Sequence, residues 1–328
     1  MPYLTAVTFT PDEKETEAIQ SALGNLSEIR LLPKLEPRDR AAVLDEVDVI
    51  VSRSFARTEI DPQEAARLEK TGLVQLIFAG ANSVPYDVLP AGVRVASNAG
   101  AFAEPLAEHV LCMTLCLAKL ILPGHHSLAE GNFAWSVFSK ELSGGTCGII
   151  GMGGNGAAIA RLMKGVGMRV LGVNRTGRSA IDLDFMGTLA DMDMLLKASD
   201  VVVLTVPLTR ATRNMIGRRE LQLMKPDAIL INVARGEVVV QEALYHHLKT
   251  VPSFSAGIDT WWSEPGDPGG FTLDYPFFDL PNLVGSPHKA DRVPAIMPTA
   301  VKMAAENVRD FLEGKAIRGE VDRADYIE

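Results

Sequence analysis

The chain has 328 residues, of which 47% are hydrophobic and 22% charged, and its formal net charge at neutral pH is −9. That is about twice the length of a typical domain, enough to bury its apolar surface without disulfide or metal staples. The acidic balance excludes the concentrated basic footprint of a nucleic-acid-binding protein. The three cysteines, Cys112, Cys116 and Cys147, make no C-x-x-C pair, so free thiols in a reducing compartment and no metal site are expected.

Met1 to Thr10 lacks the basic-then-apolar layout of a signal peptide. Short apolar runs then alternate with helical patterns. Tyr3 to Phe9, Ile29 to Leu32, Val47 to Val51, Val74 to Phe78 and Val93 to Ala96 read as buried strands, with helices between them at Asp12 to Leu23 and Arg38 to Glu46. A long helix follows, about Glu104 to Leu122. Its most apolar part, Val110 to Leu122, falls short of the roughly 20 residues a membrane span needs and is expected to be buried between protein layers. A soluble, cytoplasmic protein with no membrane partner is the expectation.

A second series begins at Thr146, with strands expected at Cys147 to Ile150, Arg169 to Val173, Val201 to Thr205, Ala228 to Val233, Ser255 to Ile258 and Leu283 to Gly285. An amphipathic helix from about Pro294 to Leu312 stops at Gly314. This alternation predicts an α/β protein of two doubly wound parallel-sheet units.

Gly151-Met152-Gly153-Gly154-Asn155-Gly156 matches G-x-G-x-x-G between the strand ending at Ile150 and a helical run, Ala157 to Gly165, the context a dinucleotide site requires. Gly151 allows the tight turn, Gly153 close approach of a pyrophosphate, and Gly156 close packing of helix on strand, while the helix N-terminus supplies N–H donors. An NAD site usually places an acid about 20 residues further on. Here the second strand is followed by Asn174-Arg175-Thr176-Gly177-Arg178, and no acid occurs between Gly156 and Asp182. A neutral amide, a hydroxyl and two guanidiniums suit a 2′-phosphate, so NADP(H) is the preferred cofactor, with NAD(H) possible. The alternative is a solvated basic loop.

Reduction of a 2-keto acid requires a cation for the carboxylate and carbonyl, a proton donor at the carbonyl oxygen, and a neighbour that tunes the donor. Three segments that follow candidate strands offer such groups: Asn232-Val233-Ala234-Arg235-Gly236-Glu237, Asp259-Thr260-Trp261-Trp262-Ser263-Glu264-Pro265 and Ser286-Pro287-His288-Lys289. Together with the glycine loop, Val206-Pro207-Leu208-Thr209 and Ala107-Glu108-His109, they resemble the D-isomer-specific 2-hydroxyacid dehydrogenase family, glyoxylate and hydroxypyruvate reductases in particular, over essentially the whole chain.

The resemblance implies roles residue by residue. Arg235 binds the substrate carboxylate and carbonyl; His288 is the general acid/base; Glu264 pairs with it and favours its imidazolium form. Asp259 lies near the cofactor with a tuning role, and Pro207 and Ala234 border the same cofactor. A loop at Ala79-Gly80-Ala81 offers backbone N–H groups to the substrate, and Arg53 is placed to recognise an anionic tail, its alternative being an exposed arginine without a ligand. The implied architecture is a flavodoxin-like substrate domain, discontinuous over 1–99 and 291–328, and a Rossmann nucleotide domain over 100–290. The implied assembly is a homodimer in which Trp135 reaches across to the partner or packs the dimer arm. The match departs at Lys289, at Trp261-Trp262, at Asn82, where Asp is common, and at Gly145, where Lys is frequent. The function expected is hydride transfer between NADP(H) and a small 2-keto acid/D-2-hydroxy acid pair of glyoxylate or hydroxypyruvate type. The alternatives are a 3-phosphoglycerate dehydrogenase-like enzyme and a dinucleotide-sensing interaction protein.

Overall fold

The computed structural model describes residues 2–266 and 269–327. The chain divides into two compact units, Met1–Phe102 with Val293–Glu328, and Ala103–Arg292. In the first, β1 (Tyr3–Val7), β2 (Ser27–Leu31), β3 (Val49–Ser52), β4 (Leu73–Leu76) and β5 (Arg94–Ala96) form a parallel sheet in the order β2-β1-β3-β4-β5, the flavodoxin arrangement. The connections are α1 (Glu13–Leu23), α2 (Pro37–Glu46) and the short α3 (Pro62–Ala65). Asp12 starts α1 with a capping box: its carboxylate accepts from Glu15 N, while the Glu15 carboxylate accepts from Asp12 N. Strand residues alternate between two cores. Ile50 and Val74 face one, Val49, Val51 and Leu73 the other, as the period of two in a strand dictates.

The second unit opens with α4 (Ala103–Ala118) and α5 (Ile121–Ala129) and continues with β6 (Thr146–Ile150), α6 (Gly154–Gly165), β7 (Arg169–Asn174), β8 (Phe185–Thr188), α7 (Met192–Ala198), β9 (Val201–Leu204), α8 (Arg218–Leu223), β10 (Ile229–Asn232), α9 (Gln241–Thr250), β11 (Ser255–Ile258) and β12 (Leu283–Gly285). All seven strands are parallel, in the order β12-β11-β10-β9-β6-β7-β8. The order reverses between β6 and β9, and an open α/β sheet offers its ligand crevice at the carboxyl ends beside such a switch. Apolar cores cover both faces, with α4 packed against α6 on one of them.

The chain then returns to the first unit with α10 (Ile296–Leu312), which packs against α1. Its buried Val301, Ala304, Ala305, Val308 and Leu312 share one face, and each fully buried large apolar side chain is worth about 1.5–3 kcal/mol. Asn307 on that face donates to Gln75 Oε1 at 2.7 Å and to Arg318 O at 3.0 Å, so the buried amide is satisfied.

Two expectations need correction. The helix expected over Glu104 to Leu122 breaks at Leu120, whose φ is +52, and resumes as α5 bent by 55°. The cause is Pro123. In a continuous helix it would lack the N–H bond to residue 119 and clash with that turn, whereas in the first turn of α5 no bond is lost. Nor is the apolar run buried to its end: Leu115, Ile121 and Leu122 are exposed. Strand β8 was not anticipated, because Phe-Met-Gly-Thr has a glycine at its centre and lies half-exposed at the sheet edge. Among the described residues no single helix is long and apolar enough to cross a membrane.

Candidate active site

The glycine loop joins β6 to α6. Gly151 has φ +106, and a Cβ there would lie 2.9 Å from Val206 N; a Cβ on Gly156 would lie 2.2 Å from Gly151 O. Both positions are therefore closed to any side chain. Gly153 is different: among the described residues nothing lies within 4 Å of its Cβ position. The loop thus leaves an open hollow over the first turn of α6, where N–H groups have no partner inside the helix and the helix dipole is positive. Asn155 Oδ1 is buried there with no hydrogen-bond partner among the described residues. Open backbone, free donors and a positive helix end fit the pyrophosphate of a dinucleotide.

Beyond β7, the Asn174 side chain organises its own loop. Its Oδ1 accepts from Thr176 N (3.0 Å), Thr176 Oγ1 (3.2 Å) and Gly177 N (2.8 Å), and its Nδ2 donates to Arg178 O (2.8 Å). The loop turns back on the asparagine, with Gly177 at φ +66 and Arg175, Thr176 and Arg178 exposed. Pro207 is exposed beyond β9, and its carbonyl accepts from Thr212 Oγ1 at 2.5 Å.

Arg235, Glu264 and His288 follow β10, β11 and β12. Asn232, fully buried at the end of β10, accepts from Ala234 N (3.1 Å) and donates to Arg235 O (2.9 Å), which folds the loop and sets Arg235 in extended backbone. Arg235 Nη1 donates to Ala234 O at 2.6 Å. Gly236 then presses on the next loop: a Cβ there would lie 2.3 Å from Trp261 O and 2.5 Å from Trp262 N. Trp261 N donates to Glu264 Oε1 (2.8 Å), and Glu264 Oε2 meets His288 Nδ1 at 2.6 Å. His288 itself is in left-handed backbone, φ +47, a conformation that costs a non-glycine residue about 1–2 kcal/mol.

Burial alone would raise the Glu264 carboxyl. The hydrogen bonds from His288 and Trp261 N, with the charges of His288 and Arg235, outweigh it and hold the group below the usual glutamate range. It is therefore an anion at neutral pH. Asp259, 1% exposed after β11, behaves alike: burial raises its carboxyl, and His109, Ser286, Lys289 N and Ala290 N together bring it below the ordinary aspartate value.

The first unit carries the remaining residues singled out in the sequence. Ala79, Gly80 and Ala81 follow β4, with Ala81 buried and the others half-buried. Arg53 follows β3, with its guanidinium 4.4 Å over the Phe9 ring and 3.3 Å from the buried Glu15 carboxylate. Beside it, Glu59 accepts from Thr8 Oγ1 (2.5 Å), Ser52 Oγ (2.6 Å), Arg53 N (3.0 Å), Ser54 N (2.9 Å) and Ser54 Oγ (2.9 Å), which fixes the turn after β3. Neither Glu59 nor the Gly236 contact was anticipated; the only sequence signal for the latter was a glycine after Arg235.

The chain as a whole is similar to known proteins. A model of the D-isomer specific 2-hydroxyacid dehydrogenase, NAD binding domain, matches residues 111–290. A glyoxylate reductase of Thermococcus gammatolerans is 30% identical over 88% of this chain and 87% of its own. A glycerate dehydrogenase of Methylorubrum extorquens is 31% identical over 94% of this chain and 88% of its own. Among solved structures, a D-isomer specific 2-hydroxyacid dehydrogenase of Xanthobacter autotrophicus Py2, in complex with NADPH and MES, superposes with a TM-score of 0.82 at 25% identity, covering 100% of both chains. The chain belongs to the D-isomer specific 2-hydroxyacid dehydrogenase family. It is an oxidoreductase that uses a nicotinamide dinucleotide.

Proposed function

We propose that the protein reduces a small 2-keto acid, glyoxylate or hydroxypyruvate, to the D-2-hydroxy acid with NADP(H). The reading rests most on the pair His288 Nδ1 to Glu264 Oε2, 2.6 Å apart at the carboxyl ends of neighbouring strands. With Nδ1 held by the anionic Glu264, Nε2 is the nitrogen left to give a proton to the carbonyl oxygen. Arg235 binds the substrate carboxylate and polarises the carbonyl. In the first unit, the backbone of Ala79-Gly80-Ala81 offers N–H groups to a substrate carboxylate. The bound nicotinamide supplies the hydride.

The glycine loop, Gly151 to Gly156, would hold the pyrophosphate, and Pro207, Ala234 and Asp259 would border the dinucleotide. Arg175, Thr176 and Arg178 would hold a 2′-phosphate on the loop that Asn174 organises. Arg53 has a carboxylate partner in Glu15, which favours a substrate without a distal phosphate. The protein works as a homodimer. Phe133, Trp135, Val137 and Phe138 are 78%, 85%, 62% and 95% exposed on the arm after α5, and a second copy of the chain is the partner that covers them.

The test follows NADPH and NADH absorbance with a panel of 2-keto acids. Faster oxidation of NADPH with glyoxylate or hydroxypyruvate is expected. Arg175→Asp should raise KM for NADPH about tenfold or more while NADH changes little, since one phosphate contact of about 1.5–3 kcal/mol is lost. Equal losses with both cofactors would overturn the 2′-phosphate assignment, and a best substrate bearing a phosphate would overturn the substrate class.

A further inference from the structure

The groups that hold the His288 turn in place reach back to α4, on the other side of the sequence. Ser286 Oγ donates to Asp259 Oδ1 at 2.5 Å, and His109 Nε2 lies 2.8 Å from the same Ser286 Oγ and 3.5 Å from Asp259 Oδ1. A hydroxyl has one proton, and this one is given to Asp259, so Ser286 Oγ accepts from His109 and Nε2 carries a hydrogen. Asp259 spends its remaining capacity on the turn. Oδ1 accepts from Lys289 N (3.0 Å), Oδ2 from Ala290 N (3.2 Å), and its backbone carbonyl from His288 N (2.8 Å). Trp261 Nε1 closes the other side by donating to Ser286 O at 2.8 Å. Residues 286–290 are thus fastened by six hydrogen bonds, and the left-handed His288 stands at their centre.

We infer that His109, Ser286 and Asp259 form one positioning relay, which holds His288 in its left-handed turn so that the imidazole meets Glu264 on one side and the reacting oxygen on the other. The relay rests on the reading of His288 as the acid/base. Asp259 therefore acts on proton transfer through the turn, by orientation. His109 is its outer anchor: it sits on α4, half-buried, and ties a helix of the nucleotide unit to the strand ends. A bare left-handed histidine would relax to other backbone wells, and a shift of about 1 Å in a reacting group lowers rates about 100-fold.

The experiment compares Ser286→Ala, Ser286→Thr, His109→Leu, His109→Gln and the double variant Ser286→Ala/His109→Leu with wild type and His288→Gln. The readouts are kcat and KM with glyoxylate and hydroxypyruvate, NADPH affinity by cofactor fluorescence, and the isotope effect with 4-deuterated NADPH. The relay predicts that Ser286→Ala and His109→Leu lower kcat about 10- to 100-fold, with NADPH affinity held within about threefold and a larger isotope effect. Ser286→Thr and His109→Gln, which keep the hydroxyl and an N–H donor, should recover most of kcat. The double variant should be no slower than its slower parent, as expected of groups acting as one unit. Wild-type kcat in the single variants, losses that multiply in the double variant, or an unchanged isotope effect would overturn the relay. If His109→Leu fails to fold, the contrast of Ser286→Ala with Ser286→Thr still decides. Near-normal turnover of His288→Gln would sink the acid/base reading itself, whereas an inactive His288→Gln beside unaffected relay variants would sink the relay alone.

Discussion

Glu59 is the carboxylate whose loss should be felt most in the first unit. Burial raises its carboxyl, but hydrogen bonds from Ser52, Thr8 and Ser54 outweigh this and lower it below the ordinary value of 4.5. Glu264 and Asp259 shift in the same direction. Such groups bind fewer protons folded than unfolded in mild acid. The stability they contribute is complete above the unfolded value and disappears as pH falls through the lowered folded values. The thermal midpoint should therefore fall on acidification below about pH 4.5, and scanning calorimetry at successive pH values would show it. Glu59→Gln should cost about 2–3 kcal/mol at neutral pH, because bonds to a charged acceptor are lost, and should flatten the acid limb. An acid limb as steep as that of wild type would show that Glu59 does not contribute to it. The same anionic preference keeps Glu264 available to His288 throughout the neutral range.

At this scale the placement of Arg235, Glu264 and His288 was legible because each follows an apolar strand within a short recognisable run. His109 and Ser286 were quoted only as parts of such runs, and their contact spans 177 positions, so no local pattern could reveal it. Arg53 was read either as a receptor for an anionic tail or as an exposed arginine without a ligand; its contact with the buried Glu15 spans 38 positions, beyond any local spacing rule.

Among the elements, the loops after β10 and β11 are one mechanical piece, since Gly236 touches the Trp261–Trp262 backbone. Gly236→Ala would have to push the loops apart and so move Arg235 away from the groups that follow β11. We expect kcat/KM to fall about 100-fold through misplacement, with KM for the keto acid rising and NADPH affinity nearly unchanged. Steady-state kinetics checks this, and wild-type KM in a folded Gly236→Ala protein would contradict the coupling. Element type and order were legible because apolar periodicity survives in every central strand. What failed did so for local reasons: Pro123 moved a helix break to Leu120, and Gly187 weakened the pattern of β8.

For the whole molecule, the exposed aromatic arm predicts self-association. Light scattering should report twice the mass of one chain, and changing both Trp135 and Phe138 to Asp should shift the protein to monomer at micromolar concentration. A monomeric wild type would remove the homodimer from the proposal. The division of the chain has a further consequence. The sheet β1–β5 is translated by Ala96, yet the core on one of its faces, with Val49, Val51 and Leu73, is completed by Ala300, Val301 and Val308 of α10. The ribosome must make the entire second unit in between, on the order of ten to forty seconds at usual elongation rates. For that interval the sheet face that α1 covers with Ile19 and Leu23 still lacks the α10 part of its core, while the later-made unit can close its own core first. The first unit is therefore exposed to aggregation during synthesis in a way that the stability of the finished chain does not report.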